Sequence, residues 1–231
     1  MKLASRVALL ALALLALRAP DGANAQTILS PYRYIETSQS IGLAGGYALT
    51  GKGAIDLGPK AGPALLARYN IRISGPFVAE AEIGILPTTR AVWDTVTADT
   101  TRSQIGESDV RLVTAMAALR FNVTGPRTWH GLLPYLILGA GIAVDAGGTS
   151  AVEEELPADV RFDFGTSFAG QLGAGAELFL SPRLSLRVDG RNVLWKIDTP
   201  AAFFTGERGR LIPRDEWTQN FYLSAGLAIH F

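Results

Sequence analysis

NFYLSAGLAIHF, residues Asn220–Phe231, carries the clearest structural pattern in the chain. Every second residue of this stretch is apolar, and the residues between them are small or polar. Period-two alternation predicts a β-strand with two unlike faces. The stretch is also long enough to cross a bilayer, because a tilted transmembrane strand needs about 9–11 residues.

The amino-terminal residues have the pattern of an export signal. Two basic residues near the start precede an apolar run, Val7–Leu17, and the small residues Ala23–Ala25 precede Gln26. This order predicts a cleaved secretory signal peptide, and the apolar run is too short for an ordinary membrane-spanning helix. The alternative is an uncleaved amino-terminal helix. We therefore divide the chain into a signal peptide, residues 1–25, and a barrel domain, residues 26–231.

Composition narrows the class of protein. The chain has no cysteine, which excludes disulfides and thiolate metal sites. Its 21 basic and 21 acidic residues balance, so charge gives no case for a nucleic-acid partner. The chain is 48% hydrophobic, yet after the signal peptide its apolar residues are spread by alternation rather than gathered in long runs.

The alternating segments predict eight strands whose connections are short and long in turn. The predicted strands are residues 40–50, 64–73, 77–86, 109–122, 132–145, 166–180, 183–194 and 217–231. Outer-membrane barrels have short periplasmic turns and long extracellular loops. The pattern therefore predicts an all-β fold, an eight-stranded antiparallel up-and-down transmembrane β-barrel in the bacterial outer membrane, with both termini in the periplasm.

Charged residues collect on one face of the predicted strands. In the second strand Leu65, Ala67 and Tyr69 share one face, and Arg68 and Arg72 share the other. Arg facing lipid at mid-membrane would cost about 2–4 kcal/mol, so the charged face should line the lumen. The predicted lumen ion-pair network is Arg68, Arg72, Glu80, Glu82, Glu177, Arg187, Asp189 and Arg191. The alternative is a soluble, lipocalin-like binding barrel with the apolar face inside.

The predicted network leaves two functional interpretations. The interior of an eight-stranded barrel is just wide enough for side chains to fill it. Paired charges could form a rigid plug in a barrel with a structural, envelope-integrity or surface-interaction role, which we favour. The same charges could instead line a small or gated pore for small solutes. Aromatic residues at the loop ends, including Phe162, Phe168, Trp195 and Trp217, are expected to form an interfacial girdle.

The sequence shows little sign of chemistry. No nucleophile, metal-protease or phosphate-loop motif is present, and His130 and His230 both fall at the expected periplasmic end, away from outer-leaflet lipid. We therefore expect no catalytic, cofactor-binding or metal-binding residues, and a lipid-modifying enzyme is the less favoured alternative. The acidic run Glu153–Glu155 is expected to be a solvated loop rather than a cation site.

The whole predicted mature chain resembles the small bacterial outer-membrane barrels that include opacity proteins and the transmembrane domain of OmpA. The resemblance rests on the architecture, on GQLGAGAELFLSPRLSLRVDGR (Gly170–Arg191) and on the terminal Phe231. It implies that Phe231, with Ile229 and Leu227, serves as the signal for the barrel-assembly machinery. It also implies outer-membrane lipids and lipopolysaccharide as partners, with periplasmic chaperones during biogenesis; an extracellular ligand cannot be named.

Overall fold

Ten antiparallel β-strands form one continuous sheet. The computed structural model describes residues 30–94, 103–204 and 212–231. The strands are β1 (Tyr32–Tyr34), β2 (Gln39–Leu49), β3 (Gly62–Ser74), β4 (Phe77–Asp94), β5 (Ser103–Asn122), β6 (Arg127–Trp129), β7 (Leu132–Asp145), β8 (Thr166–Ser181), β9 (Leu184–Asp198) and β10 (Asp215–His230). The predicted signal peptide, residues 1–25, lies outside the described residues.

Eight of these strands close into a barrel. Around the barrel the order is β2, β3, β4, β5, β7, β8, β9 and β10, and β10 pairs with β2 to complete the ring. At this seam Phe231 and Gln39 exchange two backbone hydrogen bonds, of 3.0 and 2.9 Å. The predicted eight-stranded antiparallel barrel is therefore confirmed. The remaining strands, β1 and β6, pair with each other below the barrel wall.

The two ends of the barrel differ in their connections. We call the end with the β3–β4, β5–β7 and β8–β9 connections the turn end, and the opposite end the loop end. Two residues, Gly75 and Pro76, join β3 to β4, and Gly75 takes a φ of +51° that glycine adopts without strain. One predicted long loop, residues 87–108, is mostly strand, because β4 continues to Asp94 and β5 begins at Ser103.

The outer face of the barrel is apolar. On β10 the alternation holds as predicted, with Phe221, Leu223, Leu227, Ile229 and Phe231 outside. Ten positions separate the Phe221 and Phe231 rings, which places them about 25 Å apart along the barrel axis for a strand rising roughly 3.4 Å per residue at a tilt near 40°. This is the height of the apolar band of outer-membrane barrels.

Within the described ranges, no helix has the length and apolar character needed to cross a membrane.

Candidate functional site

The middle of the barrel interior holds six buried charged side chains, which we call the central charge cluster. They come from β3, β4 and β9, and each is at most 5% exposed. Its members are Arg68, Glu80, Glu82, Arg187, Asp189 and Arg191. Three are basic and three acidic, so the cluster is neutral as a whole when all six are ionised.

Arg191 is the centre of this cluster. Its Nη2 lies 2.8 Å from Glu80 Oε1, its Nη1 lies 3.0 Å from Glu82 Oε2, and its Nε lies 2.8 Å from Asp189 Oδ1. One guanidinium thus contacts all three carboxylates of the cluster. Buried charges are tolerable only when they are paired and hydrogen-bonded, and Arg191 meets that condition because each of its three side-chain nitrogens donates a hydrogen bond.

The other two arginines complete the cluster. Arg68 places Nε 2.6 Å from Glu82 Oε2 and two further nitrogens 2.8 and 3.0 Å from the Asp189 carboxylate. Arg187 places Nη1 2.6 Å from Glu80 Oε2, a contact with ion-pair distance but without hydrogen-bond angles. Arg187 Nε donates to the Tyr135 hydroxyl at 2.6 Å. Each carboxylate is therefore shared between two or three guanidinium groups.

Glycines on β8 make room for these long side chains. A Cβ atom at Gly175 would lie 2.5 Å from the Tyr135 hydroxyl oxygen and 2.6 Å from Asp189 Cβ. A Cβ atom at Gly173 would lie 2.9 Å from Arg191 Cγ. The Gly-Ala-Gly sequence thus belongs to barrel packing, because any side chain at its glycines would displace the cluster.

A second ion pair lies closer to the turn end, between Arg120 and Glu177. Arg120 Nη2 lies 2.7 Å from Glu177 Oε2, and Glu177 Oε1 is 2.7 Å from Ser185 Oγ and 3.1 Å from His230 Nε2. The Arg120 guanidinium also stacks 4.5 Å from the centroid of the Tyr135 ring. Tyr135 therefore contacts this pair and the central charge cluster.

The structure pairs seven of the eight residues predicted for the lumen network with opposite charges and gives the eighth another role. Arg72 is half-buried at the turn end, where its guanidinium donates to the carbonyl oxygens of Ile35 at 2.7 Å and Thr37 at 2.5 Å. Arg72 is the last inward residue of β3 before its turn, so it reaches backbone rather than a carboxylate. Arg120, which pairs with Glu177, was missed from the sequence because the alanine-rich β5 shows no clear alternation.

Residues 35–38 cross the mouth of the barrel at the turn end, and we call them the strap. The strap begins beside the residue before β6, where Ile35 N donates to Pro126 O at 3.0 Å. It ends beside β3, where Arg72 N donates to Ser38 O at 2.8 Å. Between the strap and the interior lies a cavity of about 30 Å³, lined in part by Asn70 and His230. That volume suits about two water molecules rather than a solute.

The loop-end half of the interior is filled mostly by apolar side chains, although Arg90, Ser108 and Asn220 are also buried there, and this differs from the charged lumen expected there. Inward side chains of the strands pack with loop side chains that fold over the opening. We call this group the apolar cap; it includes Ile55, Leu57, Leu86, Leu112, Met116, Leu156, Val160, Phe162, Val193, Trp195, Phe203 and Tyr222. The long loops therefore supply part of the packing of this half of the interior.

Two aromatic residues expected in the interfacial girdle belong to this cap. Trp195 is fully buried inside the barrel, and Phe162 is buried in the β7–β8 loop. Phe168 and Trp217 do lie outside, 59% and 55% exposed, with ring centroids 6.3 Å apart. A position near a strand end does not distinguish the inward Trp195 from the outward Phe168 and Trp217. The phase of the alternation along each strand does.

A buried ion pair holds the β7–β8 loop to the barrel wall. Glu153, expected to be solvated, is 1% exposed and accepts hydrogen bonds from Arg90 of β4 and, at 2.8 Å, from Ser108 of β5. The Arg90 guanidinium also lies 4.7 Å from the centre of the Phe162 ring. Glu153 belongs to the short helix α1 (Ala151–Glu154), where it forms a capping box with Ser150.

The residues predicted as an assembly signal lie on the outer face of the final strand. Leu227, Ile229 and Phe231 are 53%, 57% and 58% exposed. Phe231 lies at the turn end beside β2, to which its backbone is hydrogen-bonded. Their role in assembly stays a prediction.

The described residues contain no group of three or more His, Cys, Asp or Glu side chains arranged to hold a metal ion. Paired charges fill the middle of the interior, and mainly apolar side chains, with the Arg90–Glu153 pair, fill its loop end.

Comparisons with known proteins agree on the fold. No family model matches the chain, and no curated protein matches it. Among solved structures, the outer membrane protein OprG from Pseudomonas aeruginosa shares 12% identity, with 84% of this chain and 97% of that chain covered and a TM-score of 0.52. The outer membrane protein AlkL, solved in lipid bilayers, shares 17% identity, with 84% and 90% covered and a TM-score of 0.51.

Proposed function

We propose that this chain, whose fold is that of the small outer-membrane barrels, works in the bacterial outer membrane as a closed barrel with a structural or surface-interaction role. The outer face supports the membrane placement, because its apolar band between Phe221 and Phe231 has about the height that these barrels show. The turn end then faces the periplasm, and both termini with it.

The central charge cluster is the observation that carries the closed state. Arg191 and Arg187 of β9 reach Glu80 on β4, the strand that lies diametrically opposite in the eight-stranded ring. Side chains therefore span the full width of the interior. An ion passing this level would have to separate buried pairs, which costs several kcal/mol for each charge left alone.

The apolar cap adds a second closure at the loop end. Loop residues such as Leu57, Leu156 and Phe162 are buried over the inward side chains of the strands. A permeating ion would have to lose its hydration to pass among them. The β2–β3 and β7–β8 loops pack over the opening and form the outer surface of the barrel at this end. This supports a role in envelope structure or in contacts with lipopolysaccharide or another surface partner. The proposed role is not enzymatic.

Planar-bilayer recording tests this proposal directly. The unaltered mature protein, inserted into bilayers and shown to be folded by its heat-modifiable migration, should give no reproducible single-channel steps. Substitution Glu80→Gln should lower stability rather than change an ion selectivity. Stable conductance steps from the unaltered protein, with selectivity that shifts in Glu80→Gln, would replace the closed barrel with the alternative of a small pore. Recovery of the mature protein as a detergent-free soluble species would overturn the membrane placement.

A further inference from the structure

The short strands β1 and β6 form a small ribbon below the barrel wall at the turn end, which we call the β1–β6 ribbon. Tyr32 pairs with Trp129 and Tyr34 pairs with Arg127. A two-residue turn, His130 and Gly131, with φ of +50° and +84°, joins β6 to β7. The backbone N–H of His130 donates to Pro31 O at 2.9 Å, which ties the ribbon to the residue before β1.

Register shows which way the ribbon faces. Residues directly opposite each other on paired antiparallel strands have side chains on the same side of the sheet. Tyr32 lies opposite Trp129, Trp129 opposite Leu132 of β7, and Leu132 opposite Leu178 of β8. Leu178 belongs to the apolar outer face of the barrel. One face of the ribbon therefore continues the lipid-facing surface.

That face is aromatic, basic and accessible. Tyr32, Tyr34 and Trp129 are 47%, 63% and 48% exposed, and Arg127 beside Tyr34 is exposed as well. The opposite face carries Thr128, which is buried, so the ribbon has two distinct sides. Aromatic rings with a polar edge, next to a cation, are the side chains that accumulate where a bilayer meets water.

The depth of the ribbon follows from its position along β7. Phe121, at the turn-end limit of the apolar band on β5, lies opposite Leu136, and Trp129 lies opposite Leu132. Four strand positions at roughly 3.4 Å each and a tilt near 40° place Trp129 about 10 Å farther from the membrane centre than Phe121. The polar headgroup region is about 5–8 Å thick on each side of the hydrocarbon core. The backbone at Trp129 and Tyr32 thus falls just beyond the headgroups, close enough for the long aromatic side chains to reach back to them.

We propose that the β1–β6 ribbon is a lipid-binding lip that rests on the headgroup layer of the periplasmic leaflet, with Tyr32, Tyr34 and Trp129 inserted at the interface and Arg127 paired with lipid phosphate. This inference rests on the proposed membrane placement. It also gives the segment before β2 a role, since the strap leads from β1 directly across the mouth of the barrel. Binding of the ribbon to lipid would help to fix the strap across the mouth of the barrel.

Nitroxide labels test the proposal, and the absence of cysteine from the chain makes single-site labelling simple. Three variants of the mature protein, Tyr32→Cys, Arg33→Cys and Leu138→Cys, are labelled and inserted into phosphatidylethanolamine–phosphatidylglycerol vesicles. Arg33 lies on the ribbon face away from lipid, and Leu138 lies on the outer face of β7. The ratio of relaxation by oxygen to relaxation by a water-soluble nickel complex should be highest at 138, intermediate at 32 and several-fold lower at 33.

The three labelled sites distinguish a failure of the lipid-binding lip from a failure of the membrane placement. A label at 32 that is as accessible to nickel as the label at 33, with 138 still lipid-like, overturns the lip and leaves the membrane barrel intact. A label at 138 that is accessible to nickel overturns the membrane placement itself. A label at 32 that is shielded from both reagents, in proportion to protein concentration, identifies a second copy of the chain as the occupant and also overturns the lip.

Discussion

Arg191 and Glu80 meet across the full width of the barrel. They stand on β9 and β4, four strands apart in either direction around the ring, and Arg191 Nη2 lies 2.8 Å from Glu80 Oε1. The contact joins two walls of the barrel that share no backbone hydrogen bond. The interior of this barrel is therefore braced by side chains as well as enclosed by its sheet.

Substitution Glu80→Gln should destabilise the barrel strongly. It keeps the side-chain volume but leaves Arg187 and Arg191 with one carboxylate fewer, so the cluster carries an uncompensated buried charge. Breaking a buried pair in this way typically costs about 3–5 kcal/mol of unfolding free energy. Urea unfolding in lipid vesicles measures the loss. The control is Glu107→Gln, whose partner Lys60 is exposed, and it should leave unfolding unchanged. Equal effects of the two variants would contradict the conclusion that the central charge cluster stabilises the barrel.

The Arg120–Glu177 pair should show strong coupling. Arg120→Met or Glu177→Met alone leaves one buried charge without its partner, whereas the double variant leaves neither. The double variant should therefore lose less stability than the two single losses added together, by about 0.5–3 kcal/mol. A double-mutant cycle measured by urea unfolding gives this difference. The same cycle on the exposed pair Lys196 and Asp215 should give additive effects.

Substitution Glu153→Gln should release the β7–β8 loop without opening the barrel wall. The change weakens the bonds to Arg90 and Ser108 and leaves the Arg90 charge without its carboxylate under the cap. Amide hydrogen exchange in residues 150–162 should become faster, with exchange in β9 and β10 unchanged. The neighbouring exposed Glu154, changed to Gln, is the matched control and should not alter exchange. Faster exchange throughout the barrel would show that the pair stabilises the sheet instead.

Phe231 offers a way to separate two contributions to assembly. Phe231→Ala removes the outward ring but keeps the two backbone hydrogen bonds with Gln39. Phe231→Trp keeps an outward aromatic ring as well as these hydrogen bonds. If the ring is recognised, Ala should slow insertion and Trp should restore it. Pulse-chase labelling that follows the heat-modifiable form measures the rate. Normal insertion of the Ala variant would show that the ring is not part of the signal.

The sequence was sufficient for the eight strands of the barrel, though not for β1 and β6, because alternation is a strictly local property. In β10 each residue's face follows from its neighbours, and the inside–outside pattern from Asn220 to Phe231 matched the structure throughout. The same phase placed Arg187, Asp189 and Arg191 in the interior. What remained open was the partner of each charge, since pairing depends on which strands face each other across the ring.

Loop residues could not be placed in the same way. Glu153 belongs to an acidic run, and the neighbouring Glu154 and Glu155 are exposed, so composition suggested a solvated segment. The Ser150–Glu153 spacing of a capping box predicts a helix start, but the burial of Glu153 depends on Arg90, which is far away in the chain. Trp195 is a second example. Its neighbours in the sequence predict that it faces inward, but they do not show that loops cover this part of the interior.

The position of the central charge cluster has a consequence for the order of folding. Its side chains come from β3, β4 and β9, and these strands enclose a common interior only after β10 has joined β2. Before that seam forms, Arg68 and Glu82 can pair across β3 and β4, whereas the charges of β9 have no partner on those two strands and must keep their hydration. We therefore expect seam formation, dehydration and the pairing of β9 with β3 and β4 to form one non-local step, which should make insertion slow. Once the cluster is dry, opening the seam must separate the pairs that join β9 to β3 and β4, such as Arg68 with Asp189 and Arg191 with Glu80, so unfolding and refolding curves of this barrel should show hysteresis.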